Sequence, residues 1–167
     1  MNKTIIIFVS LILLLIGAIL FTVFSKNQDK NINPNVQYTD LKITFPSEKG
    51  NQVVTKNFLT DTTVTPDEQN PGMYFLGDTI AIQPATGKLP PYVVTYDKNS
   101  SNFNVTLLEK PFKQSREQAE EYLKTLLETD EESLCKLSYM VTVPGYVDAS
   151  ASGLDYRFSF CSDGLQL

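Results

Sequence analysis

Between Thr4 and Phe24 the chain reads TIIIFVSLILLLIGAILFTVF, 21 residues without a charge. At about 1.5 Å per residue a helix of that length spans about 30 Å, the thickness of a bilayer's hydrocarbon core. A secretory leader is the competing reading, but its apolar region runs to about 7–15 residues and ends at a small-x-small cleavage site. This run is longer, leaves through the bulky Phe21-Thr22-Val23-Phe24, and has no cysteine near its exit to carry a lipid. The expectation is an uncleaved transmembrane signal-anchor helix over residues 4–24. Lys3 precedes the span while Lys26 and Lys30 come after it, so a count of basic residues does not favour export of the C-terminal portion. With only three residues ahead of the span, that count has little to weigh, and orientation must come from elsewhere.

Residues 25–36, SKNQDKNINPNV, are polar and Asn-rich and read as a flexible stalk. Residues 37–167 form the one remaining domain. From Asn31 onward lie eleven of the fourteen Lys and Arg and eighteen of the nineteen Asp and Glu, a balance of −7. Such a domain has no electrostatic footprint for a phosphate backbone, which argues against nucleic acid as a partner. It is also repelled by an anionic membrane surface. The plain role of the charge is to keep the head soluble.

Strand signals open the head. Leu41, Ile43 and Phe45 alternate with Lys42 and Thr44 up to Pro46, and QVVTKNFL is β-branched enough to lean the same way. DTTVTPDEQNPG reads as a long turn-rich loop, and MYFLGDTIAIQP as a strand broken near Gly77-Asp78. YVVTYD and FNVTLLE both alternate and are joined by KNSSN, the pattern of a hairpin. After Lys110-Pro111 the period changes: Ala119, Tyr122, Leu123, Leu126 and Leu127 form one helical stripe. Ser115 with Gln118, and Thr129 with Glu132, have capping-box spacing, so a second short helix is expected to carry Leu134, Cys135 and Leu137. Tyr139, Val141 and Val143 then alternate, as do Leu154, Tyr156, Phe158 and Phe160, which predicts a closing hairpin. The fold class expected is α+β, an antiparallel β-rich head packed by one amphipathic helix plus a short second helix.

FNVTLLEKP, SREQAEEYLKTLLE, LCKLSYMVTVP and GLDYRFSFC succeed one another in an order that resembles the C-terminal region of small single-pass envelope proteins of small-genome bacteria. The likeness covers residues 74–167. It implies a membrane-anchored exported domain with paired cysteines near its C-terminus, and it brings no activity with it.

Cys135 and Cys161 are the two cysteines of a chain with no histidine and no tryptophan. A structural zinc wants four thiolate or imidazole ligands, and two cysteines leave it short. A catalytic thiol wants an activating base, usually the histidine this chain lacks. A Cys135–Cys161 disulfide and a pair of unpaired structural cysteines remain, and the disulfide is expected, which places the head outside the cytoplasm. The lack of histidine also removes Ser-His-Asp catalysis and most transition-metal sites. Gly50, Gly72, Gly77 and Gly87 stand alone, without the spacing of a phosphate loop. No metal, no cofactor and no catalytic residue is therefore assigned.

Carboxylates are the remaining route to catalysis. Asp61, Asp67, Glu68 and Asp78 cluster in sequence, with Asp155 and Asp163 further on, and a pair of them could act as general acid and base. The D-x-[DN]-x-[DN]-G spacing of a calcium loop is absent. Glu117, Glu120, Glu121 and Glu128 with Arg116 and Lys124 are expected on the solvated helix face, Glu120 pairing with Lys124; the same acids would make a docking face for a basic partner. Asn99-Ser100-Ser101 and Asn104-Val105-Thr106 fit the glycosylation acceptor pattern. The sequence thus points to a single-pass cell-membrane protein, N-terminus cytoplasmic and head extracytoplasmic. Its head would be a non-enzymatic binding module or an accessory subunit of an envelope assembly; the alternative is a carboxylate-dependent envelope hydrolase.

Overall fold

The structure, a computed structural model, describes residues 36–46, 52–77 and 89–167. The chain divides into two units, Met1–Ile32 and Asn33–Leu167, and every described residue belongs to the second. The apolar run and the stalk up to residue 35 lie outside the described residues, as does Asp78. Among the described residues no helix is long and apolar enough to cross a membrane.

The head is α+β. A three-stranded antiparallel sheet comprises β1 (Gln37–Tyr38), β2 (Lys42–Phe45) and β3 (Val53–Lys56), in that order. A 3-10 turn, Phe58–Thr60, leads into a five-stranded sheet. That sheet holds β4 (Val64–Pro66), β5 (Met73–Leu76), β6 (Tyr92–Asp97), β7 (Asn102–Leu107) and β8 (Ser138–Thr142), again in sequence order. Helix α1 (Phe112–Leu127) lies against β6 and β7 and touches β3, and α2 (Glu131–Leu134) comes directly after it.

The period-2 pattern places Val94 and Tyr96 of β6, Phe103, Val105 and Leu107 of β7, and Tyr139 and Val141 of β8 in the core. The helical stripe meets them: Ala119, Leu123, Leu126 and Leu127 are buried, as expected. An aromatic cluster joins the two sheets. Tyr96 has the rings of Phe103 at 4.7 Å and Phe58 at 5.1 Å, and Phe45 from β2 lies 5.8 Å from Phe103. The hydroxyls of Tyr96 and Tyr38 hydrogen-bond at 2.8 Å, satisfying a phenol whose burial pushes its pKa far up.

Several sequence expectations need correction. The sheet is mixed: β7 and β8 run parallel, Asn102 opposite Ser138 through Thr106 opposite Thr142. Helix α1, with 16 residues, rises about 24 Å and returns the chain along the length of β7, so β8 starts in the same direction. The loop before Met73 contains β4, paired with β5 from Val64–Leu76 to Pro66–Tyr74, with Pro66 tolerated because this strand is an edge. Neither predicted capping box forms. Helix α1 starts earlier, after Pro111, and the Ser115 hydroxyl donates to the Glu109 carbonyl at 2.7 Å. Asp130 caps α2, accepting from the Ser133 N–H at 2.8 Å, so α2 contains Leu134 while Cys135 is its C-cap and Leu137 lies beyond it. Leu41 is 79% exposed, because β2 begins after it.

The largest correction concerns the closing hairpin: residues 154–160 form no strand. The alternation holds at its centre, where Tyr156 and Phe158 are buried, while Leu154 is 50% exposed, and two side chains with one backbone bond take the place of a ladder. Asp155 Oδ1 accepts the Val141 N–H at 2.9 Å, the Tyr156 N–H donates to the Val141 carbonyl at 2.8 Å, and Arg157 Nη1 donates to the Tyr139 carbonyl at 2.8 Å. Arg157 takes a left-handed φ of 57°, which ends any strand geometry. The outer edge of β8 is thereby covered, which denies it to another chain.

Candidate functional site

The disulfide, Tyr139 and the buried charges of α1 all meet the last fourteen residues of the head, which wrap β8 and α1 as a strap. Cys135, at the C-cap of α2, is disulfide-bonded to Cys161 with Cα atoms 5.7 Å apart. The Tyr139 hydroxyl donates to Cys161 Sγ at 3.1 Å. Phe158 stacks on the Tyr139 ring at 4.0 Å, and the Arg157 guanidinium stands 3.9 Å from its centroid. Burial pushes the Tyr139 phenol above its usual pKa, so it keeps its proton at neutral pH. Arg157 also reaches Asp163 at 2.9 Å and Asp155 at 3.4 Å.

Beneath the strap lies a buried ion pair. Arg116 and Glu120, 3% and 4% exposed, sit one turn apart on α1, with Arg116 Nε 3.7 Å from Glu120 Oε1. Glu120 accepts the Ser159 N–H at 2.5 Å and the Ser159 hydroxyl at 2.7 Å. Arg116 Nη1 donates to the Leu165 carbonyl at 2.7 Å and points at that of Tyr156 at 3.5 Å. Each charge faces its partner and strap groups, which offsets much of the cost of burial, while Arg116 Nε itself makes no hydrogen bond.

The expected solvated face holds for Glu117, Glu121 and Glu128, which are exposed, and fails for Arg116 and Glu120. Arg116 and Glu120 are core residues, and the predicted Glu120–Lys124 pair does not form, because Glu120 is turned to Ser159. Lys124 pairs instead with Glu121 at 2.8 Å and Glu131 at 3.2 Å. A signal was available, since Arg116, Glu120, Leu123 and Leu127 succeed one another at helical spacing on a single stripe.

Among the described residues, the candidate acids other than Glu68 are spread out and engaged in local structure. Asp61 Oδ1 accepts from the Thr63 N–H and hydroxyl at 3.0 and 2.8 Å. Asp67 accepts from Gln69 and Asn70 in the β4–β5 turn. Asp155 and Asp163 hold Arg157, as above. Glu68 is exposed. Glu117 pairs loosely with Lys113 at 3.9 Å, and Glu128 with Lys56 at 3.4 Å. Among the described residues no group of three or more Cys, Asp or Glu is placed to hold a metal. Of the acceptor asparagines, Asn99 donates to the Pro71 carbonyl at 3.3 Å and Asn104 accepts from Asn102 at 2.8 Å. A shallow polar groove of about 570 Å³ lies between Val54 and the α1–α2 turn, lined by Lys124, Glu128 and Asp130.

Several of these acids titrate low. The Lys110 ammonium, then the Ser150 hydroxyl and N–H, drives Asp148 far below the carboxylate range. Asp61 is lowered first by the Thr63 N–H, Asp67 by the Asn70 amide, and Asp130 by the Ser133 N–H. A carboxylate whose folded pKa lies below its unfolded one stabilises above the unfolded value, about 3.9, and loses that contribution as pH falls through the folded one. The urea midpoint should therefore be flat from pH 7 to about pH 5 and fall steadily below about pH 4. A midpoint that rises on acidification would contradict this assignment.

The fold and its strap define a disulfide-closed α+β head of mixed sheet. No family model matches the chain, and no curated protein or solved structure is significantly similar to it.

Proposed function

We propose that this chain is a single-pass membrane-anchored protein whose acidic head stands outside the cytoplasm and works by binding, as a partner or accessory subunit of an envelope assembly. The observation that carries the reading is the Cys135–Cys161 bond. Such bonds persist in oxidising compartments and are rare where cellular thiol pools keep cysteines reduced. With the 21-residue uncharged run ahead of it, the bond supports an orientation with the N-terminus inside and the head outside. The lowering of Asp61 and Asp67 by their turn hydrogen bonds supports binding over carboxylate hydrolysis, because a carboxyl held below its usual range is poorly matched to acid–base work near neutral pH.

Labelling of intact cells with a membrane-impermeant maleimide tests the placement. No thiol should react before treatment with an impermeant reductant, and both should react after it. Labelling that needs lysis and no reductant would put the head in the cytoplasm. On the same cells an impermeant amine crosslinker, acting through exposed lysines such as Lys110 and Lys113, should yield a discrete species of higher mass. A chain that stays uncrosslinked counts against binding.

A further inference from the structure

The two sulfurs of the disulfide stand in different surroundings. Cys161 is buried, 7% exposed, and its Sγ receives the Tyr139 hydroxyl at 3.1 Å. Cys135 is partly exposed at the C-cap of α2. Phe158 and Arg157 fix the Tyr139 ring, so the hydroxyl is aimed before any reaction begins. The rate of thiol–disulfide exchange depends on which sulfur can be reached and on how well the departing thiolate is stabilised. A hydrogen bond to an anion is about twice as strong as one between neutral groups. Access and leaving-group stabilisation therefore favour the same direction.

We propose that the Cys135–Cys161 bond is a polarised exchange site for an external thiolate, with Cys135 taking the incoming sulfur and Cys161 departing onto the Tyr139 hydroxyl. The incoming sulfur's electron pair forms the new bond to Cys135 Sγ. The pair of the broken bond goes to Cys161 Sγ, and no proton is transferred in the step. A second external thiolate then attacks the incoming sulfur and releases Cys135. Two thiolates are thus oxidised to one disulfide while two electrons reduce the protein. The freed Cys161 leaves the strap on α1 and β8 held by its non-covalent contacts, those of Arg116, Glu120, Asp155, Arg157 and Phe158 among them. This polarity is independent of the compartment in which the head stands.

The test uses the oxidised full-length chain in detergent, exposed briefly to excess glutathione, quenched in acid and mapped by peptide mass. Glutathione should be found on Cys135 at least about fivefold over Cys161, the ratio expected from one charge-assisted hydrogen bond plus easier access. An even split, or preference for Cys161, would overturn the proposal. Tyr139→Phe, checked for an intact disulfide and a cooperative thermal transition, should slow the first exchange by about 3–10-fold, the worth of one hydrogen bond. An unchanged or faster rate would remove Tyr139 from the step. The adduct map on the unaltered chain tests the polarity even if that variant does not fold.

Discussion

Arg116→Ala should lower the unfolding free energy of the head by about 3–5 kcal/mol, because it leaves the Glu120 carboxylate buried without its countercharge. The pair is 3% and 4% exposed, so water does not step in to solvate the orphaned acid. The substitution also deprives the Leu165 carbonyl of its donor. Set against the typical total of about 5–15 kcal/mol for a domain, the loss is a large share of stability. Urea denaturation of the oxidised protein measures it directly, and a loss under about 1 kcal/mol would mean that the pair is hydrated in solution. Arg116→Met with Glu120→Leu should cost less than Arg116→Ala alone, since no unpaired charge remains.

The second large effect belongs to the disulfide. Cys135→Ser with Cys161→Ser opens a loop of sequence separation 26, and chain entropy puts the cost at about 3.5 kcal/mol. The melting temperature should fall by about 10–20 °C for a domain of this size. A shift of a few degrees would mean that the buried pair and the Arg157 contacts hold the strap without the bond. The ion pair and the disulfide grip the same segment, so their effects should couple rather than add.

How much of this was legible in the sequence varies by element. The hairpin of β6 and β7 and the stripe of α1 were readable because each is a period imposed by one dominant contact: core on one side, water on the other. The disulfide was readable by elimination, since a chain without histidine leaves two cysteines few other uses. The strap was not. Leu154, Tyr156, Phe158 and Phe160 alternate in sequence as a strand does, yet the Val141 N–H and the Tyr139 carbonyl of β8 are taken by Asp155 and Arg157 side chains, and periodicity carries no information about which atoms close a ladder. The parallel β7–β8 pairing was hidden for a related reason: local pattern gives a strand's faces but not its direction. The charges of Arg116 and Glu120 suggest water, whereas their place on the stripe puts them in the core.

The return of the chain through α1 also bears on the order in which the sheet can assemble. Strands β6 and β7 meet across a short turn, but Ser138 bonds Asn102 over 36 residues. As the chain lengthens, β7 is complete while its partner is still to be made, and loop closure must then bring the two together. Throughout that interval the outer hydrogen-bonding edge of β7 faces its surroundings, including the same strand of a neighbouring nascent chain. Crowding of unfinished copies therefore favours misassembly at this strand until β8 arrives.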